Sequence, residues 1–137
     1  MIPFTAVKQA FARGVFPHQF AWILELPWRR VVLAPETLSS RLRLRPAANV
    51  LEIGSGSGYY SVALARSIPR GRLQLFDLQP EMISRSIARC ASHGVTNVNF
   101  AAGDARALPF RDGQFDAVIM VTVLGEIPDR DAAVRAV

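Results

Sequence analysis

From Asn49 onward, short apolar runs alternate with stretches of helical periodicity; the first two runs lead into Gly54 and Asp77, and the third is followed, after two alanines, by Gly103-Asp104. The runs are Asn49–Ile53, Leu73–Phe76, Asn97–Phe100 and Phe115–Val121. Between them, Tyr59–Ile68 is helix-like and ends near Pro69 and Gly71. Pro80–His93 has proline in its first turn, Ile83 and Ile87 four apart, and Gly94 as a stop. Ala117–Met120 is continuously apolar, as expected of a parallel strand buried on both faces. Strand and helix in alternation, joined by right-handed crossovers, predict a doubly wound α/β sheet whose ligand lies at the carboxyl ends of the strands.

The rest of the chain bounds this reading. Half of the 137 residues are hydrophobic and 20% are charged, the composition of a globular domain. The N-terminal apolar stretch Phe20–Leu24 is stopped by Glu25 and Pro27, far short of the ~20 residues that span a bilayer. The single cysteine, Cys90, offers neither an internal disulfide nor a metal cluster, and a reducing cytoplasm fits. The net charge of +5 resides entirely in residues 1–48, where seven basic residues face Glu25 and Glu36. Residues 49–137 carry nine arginines and nine acids. The expected organisation is therefore a basic helical segment over 1–48, followed by a sheet domain over 49–137. Within the first, Leu38 and Leu42 lie four apart behind Pro35-Glu36. Trp22 and Trp28 suit a lid, an interfacial anchor or ordinary packing. No recognised nucleic-acid module accompanies the charge, so no nucleic-acid partner is expected, whereas peripheral contact with a membrane surface is compatible with it.

The chemistry is sought after each strand. Gly54, Gly56 and Gly58 let the backbone turn sharply and admit a ligand without a Cβ in the way. Tyr59 stands where a dinucleotide fingerprint needs its third glycine, which argues against a nicotinamide or flavin enzyme. Asp77, ending the second run, has two oxygens that match a ribose diol. Asp104 can accept from an exocyclic amine, and Ala105 leaves room for an adenine face. Each acid has an alternative reading as a turn or helix cap, but acids at successive strand ends favour a nucleoside site.

The segments Asn49–Gly58, Asp77–Met82, Gly103–Phe110 and Gln114–Val118 resemble, in order, the motifs of class I S-adenosylmethionine-dependent methyltransferases, and more narrowly the ubiquinone/menaquinone-methyltransferase-like group. The resemblance covers about residues 48 to 128. It implies a Rossmann-like fold, S-adenosyl-L-methionine as cofactor and a small-molecule acceptor, lipid- or quinone-like in that group. By resemblance Glu52 contacts the methionine amino group, directly or through water. Gly54, Ser55, Gly56 and Gly58 line the methionine and ribose portion, and Asp77 holds the ribose hydroxyls. Leu78 and Met82 flank adenine, Asp104 with Ala105 addresses its amino group, and Val121 and Thr122 lie near the sulfonium.

Methyl transfer from a sulfonium is an in-line displacement with a neutral leaving group, so positioning and exclusion of water dominate and few catalytic side chains are needed. Glu126 is the acid best placed in sequence to act as a base or to bind the acceptor; a loop carboxylate or cap is its alternative reading. His93 reads as a partner of a helix C-terminus and Cys90 as a small core residue. The family's sheet has seven strands and the runs found here supply four. The expectation is a C-terminally incomplete domain, with a partner chain or dimer covering the apolar fourth strand, or else a non-catalytic binding module. Asp129 is expected to cap a helix running toward Val137.

Overall fold

In the computed structural model, residues 34–121, 127 and 129–137 are described. Trp22, Trp28, Thr122 and Glu126 lie outside them. The elements are α1 (Pro35–Leu42), β1 (Asn49–Ile53), α2 (Ser61–Ser67), β2 (Arg72–Asp77), α3 (Pro80–Ser92), β3 (Val98–Ala102), β4 (Ala117–Met120) and α4 (Arg130–Arg135). The four strands form one sheet in the order β3-β2-β1-β4, every pair parallel. Strand order reverses between β1 and β4, and this sets the crevice in which a doubly wound sheet receives its ligand.

The register aligns the strand ends. Ile53 pairs with both Phe76 and Met120, and Asp77 pairs with Ala102. Gly54, Leu78, Gly103 and Val121 therefore emerge together at the carboxyl edge. Backbone bonds extend the ladder one step, from Gly54 N–H to the Phe76 carbonyl at 2.7 Å and from Gly103 N–H to the Asp77 carbonyl at 2.9 Å.

The two faces of the sheet are covered differently. Val50, Leu73, Leu75 and Ile119 share a buried core with Leu64 and Ala65 of α2 and with Ile68 just after it, and Leu38, Leu42 and Leu44 pack against it. On the other face, Leu51, Ile53 and Phe76 are covered by the loop between β3 and β4, through Leu108, Phe110 and Phe115. The rings of Phe76, Phe110 and Phe115 meet edge to face, with centroids 5.5 and 5.1 Å apart.

Local rules set the boundaries. Gly94 adopts φ +66° after α3, and the Val95 N–H reaches back to the Cys90 carbonyl while Gly94 N–H reaches Ala91, a Schellman ending. His93 sits at this C-terminus with Nδ1 2.9 Å from the Arg89 carbonyl, and Cys90 is buried in the packing, as expected of both. Asn97, read as the first residue of the third strand, instead spends its side-chain amide on the Ala65 and Ile68 carbonyls at the end of α2, and pairing starts at Val98. Asp129 caps α4 by accepting from the Ala132 N–H. No helix among the described residues is long and apolar enough to cross a membrane.

Candidate cofactor site

The site is built on the turn between β1 and α2. Gly54, Gly56 and Gly58 have φ of +71°, +55° and +79°, left-handed values that side chains other than glycine rarely adopt. Gly58 has a second reason to be glycine, since a Cβ there would lie 3.2 Å from the backbone and hydroxyl of Ser86 on α3. The close helix approach that a dinucleotide fingerprint assigns to residue 59 is thus made by residue 58. A Cβ on Gly56 would meet nothing within 4 Å, so the turn is open on that side.

Two residues of α3 hold this turn from behind. The Ser86 hydroxyl donates to the Gly56 carbonyl at 2.7 Å, and Arg89 Nε donates to the Ser57 carbonyl at 3.0 Å. Neither contact is announced by a sequence motif. The signal for Ser86 is its place, buried, in the apolar stripe of α3 with Met82, Ile83 and Cys90.

Asp77 closes the site from the second strand. One carboxylate oxygen accepts from the Gly56 N–H and the other from the Gln79 N–H, each at 2.9 Å. Burial pushes its pKa up against these backbone bonds, which pull it down. A carboxylate oxygen can accept more than one hydrogen bond, so each retains capacity for a ligand hydroxyl. Leu78, the next residue, is 52% exposed, an apolar side chain at the open edge. Ser55 lies in the turn with its hydroxyl buried and without a hydrogen-bond partner among the described residues.

Other expected residues are placed differently. Glu52 lies beneath the turn, 2% exposed, with its carboxylate accepting from the Ser61 hydroxyl at 2.6 Å. Burial raises its pKa to about 7; the Ser61 bond opposes this and the Asp77 charge adds to it. Met82 is 2% exposed, inside the packing of α3 rather than at the open edge. Asp104 and Ala105 do follow β3, but the Asp104 carboxylate is engaged by Arg106 through backbone N–H, Nε and Nη2. That partner holds the Asp104 pKa down at about 2. Val121 follows β4 at the same edge.

The chain matches the methyltransferase domain family over residues 50–137. The chain belongs to this family, the class I S-adenosylmethionine-dependent methyltransferases. Its cofactor is S-adenosyl-L-methionine. An uncharacterized protein of Mycobacterium tuberculosis, Rv1405c, is 36% identical over 104 residues, covering 74% of this chain and 37% of the relative. The ubiquinone/menaquinone biosynthesis C-methyltransferase UbiE of Hahella chejuensis is 33% identical over 94 residues, 67% of this chain and 38% of the relative. The chain thus spans less than two-fifths of the length of these two relatives. A crystal structure of a SAM-dependent methyltransferase from Aquifex aeolicus superposes with a TM-score of 0.82 at 22% identity, over 89% of this chain and 65% of that one. The structural likeness supports the Rossmann-like fold.

The residues present fit such a cofactor. Three features of the carboxyl edge have no structural task of their own: the unpartnered Ser55 hydroxyl, the open flank of Gly56 and the exposed Leu78. A nucleoside with a polar tail offers partners for all three.

Proposed function

We propose that this chain binds S-adenosyl-L-methionine along its carboxyl edge and serves methyl transfer to a small-molecule acceptor of lipid or quinone type. The observation that carries the binding site is Asp77, whose carboxylate is held at the carboxyl end of β2 by the N–H groups of Gly56 and Gln79. In this reading Asp77 accepts from the ribose hydroxyls and Leu78 covers one adenine face. Gly54, Ser55, Gly56 and Gly58 take the methionine and ribose portion, and Val121 borders the reacting methyl. Asp104 accepts from the adenine amino group once Arg106 yields one oxygen, with Ala105 giving the ring room.

When bound, the cofactor supplies a methyl group on a sulfonium, activated by a neutral leaving group. The chain's own residues contribute positioning: the glycine turn and Asp77 fix the donor, and the loop aromatics Phe110 and Phe115 keep water from the underside of the sheet. Glu52, protonated or charged around neutral pH, acts from beneath the turn through Ser61 or through water. Thr122 and Glu126 complete the acceptor side in this proposal, Glu126 as base or acceptor ligand. The lipid or quinone class rests on the UbiE relative. It accords with a basic N-terminal third able to touch an anionic membrane surface and with a cytoplasmic site of action.

Isothermal titration of the folded chain with S-adenosylhomocysteine and S-adenosylmethionine tests the reading. One-to-one binding that Asp77→Ala weakens about a hundredfold is expected; a folded chain that binds neither overturns it. Co-sedimentation with anionic vesicles, lost on deleting residues 1–33, is the result expected for membrane contact, and sedimentation unaffected by the deletion would remove that part.

A further inference from the structure

Behind the glycine turn, α1, α2 and the end of α3 border a cleft of about 450 Å³. Arg66 and Ser67 of α2, Arg89 and His93 at the end of α3, and Tyr59 line it, with Glu36 of α1 as the one carboxylate among its lining residues. Each basic side chain is anchored on a backbone carbonyl. Arg66 Nη2 donates to the His93 carbonyl at 3.1 Å, His93 Nδ1 lies 2.9 Å from the Arg89 carbonyl, and Arg89 Nε donates to the Ser57 carbonyl of the turn. The other N–H groups of Arg66 have no partner among the described residues. The Ser67 hydroxyl donates to the Leu64 carbonyl, which leaves its oxygen facing the cleft only as an acceptor.

Two arginines lining one cleft suit a phosphate: the planar guanidinium of Arg66 can offer two N–H groups to its oxygens, and Arg89 adds a second positive charge on the same cleft. The volume is that of an ordinary small-molecule site. The position is informative as well. Arg89 belongs to the cleft and also grips the turn at Ser57, between Gly56 and Gly58, so a ligand that draws on the Arg89 guanidinium changes what holds the turn.

We propose that this cleft is a second ligand site, for a small phosphate-bearing molecule, coupled to the carboxyl-edge site through Arg89 and the Ser57 carbonyl. The coupling rests on the reading of the glycine turn as the cofactor loop; the cleft itself does not. Because coupling between sites is reciprocal, phosphate and cofactor should each alter the other's affinity by the same factor.

The test is a nuclear magnetic resonance titration of the full isotope-labelled chain with inorganic phosphate, ionic strength being matched with sodium chloride. The expected result is saturable shifts of the His93 ring and Arg66 side-chain signals, accompanied by the Gly56 and Gly58 amides. Arg66→Gln should weaken phosphate binding about tenfold, with spectral changes in the absence of phosphate confined to the neighbourhood of residue 66 and the His93 carbonyl it bonds. Shifts reproduced by chloride alone, or an unchanged curve in R66Q, overturn the site. Saturation at His93 with no movement of Gly56 and Gly58 overturns the coupling. Calorimetry with S-adenosylhomocysteine adds the second arm: at saturating phosphate its affinity should change about threefold or more in the native chain and stay constant in R66Q. A chain that binds phosphate but no S-adenosylhomocysteine would count against the proposed function, with the cleft still judged by its own titration.

Discussion

The two edges of the sheet each carry an aspartate beside a backbone turn, exposed at the amino edge and buried at the carboxyl edge, and they use it in opposite ways. At the amino edge, Asp116 accepts from the Asn49 N–H at 2.8 Å and from Arg45 at 2.9 Å, while its own N–H returns to the Asn49 carbonyl. That carboxylate ties β1 to β4. At the carboxyl edge, Asp77 accepts two backbone N–H groups, but it stands beside an open glycine, a Ser55 hydroxyl unpartnered among the described residues and an exposed leucine. An aspartate near a strand end does not by itself mark a site. What marks it is the end of the strand at which it stands, and whether its neighbours have used up their own polar groups.

The largest effect that could break this contrast comes from the two aspartates themselves. Asp77→Ala is expected to weaken S-adenosylhomocysteine binding by about a hundredfold, the loss of two hydrogen bonds to a charged group. Asp116→Ala should leave that affinity within about twofold and lower unfolding free energy by about 1 kcal/mol, read by urea denaturation. Equal losses of cofactor affinity in both variants would dissolve the distinction between the edges.

Glu52 gives the next effect. Its pKa is raised from 4.5 to about 7 in the folded chain, so the folded state holds the proton more tightly than the unfolded one. The associated stability is complete below pH 4.5 and is lost as pH rises through about 7, roughly 3 kcal/mol at most. Glu52→Gln, which keeps an acceptor for Ser61, should flatten the stability profile between those values. A profile as steep as that of the native chain would assign the pH dependence elsewhere.

The sequence made some of this legible and not the rest, for physical reasons. Strand runs and the reversal of hydrophobic period announce β1, β2 and α3, and the glycine spacing with Asp77 at a strand end points to the carboxyl edge. Where the reading erred by a residue or two, a side chain had a competing backbone partner: Asn97 caps α2, and Asp116 binds Asn49 instead of continuing β4. Periodicity says which face of a helix is buried but not what it meets. Hence the burial of Met82 on the inner face of α3 and the pairing of Asp104 with Arg106 are visible only in the fold. Likewise Ser61 beneath Glu52, and Ser86 and Arg89 behind the glycine turn, are contacts between segments that only the fold brings together.

Two smaller effects sharpen the picture of the turn. Gly58→Ala combines a left-handed φ of +79° with a contact of 3.2 Å to Ser86. It should cost about 2 kcal/mol by thermal or chemical unfolding. Ser55→Ala should leave stability unchanged or slightly higher, because a buried hydroxyl without a partner is removed, yet weaken S-adenosylhomocysteine binding about fivefold. A stability loss with intact affinity would make Ser55 a structural residue.

The central claim is that the carboxyl edge, and not the amino edge, receives the cofactor. An amide-shift map of the labelled chain titrated with S-adenosylhomocysteine tests it most directly. The account predicts large shifts at Gly54–Gly58, Leu78–Gln79 and Gly103–Ala105, with Arg45, Asn49, Arg72 and Asp116 unmoved. Shifts centred on the amino edge, or none at saturating ligand in a folded chain, would contradict it.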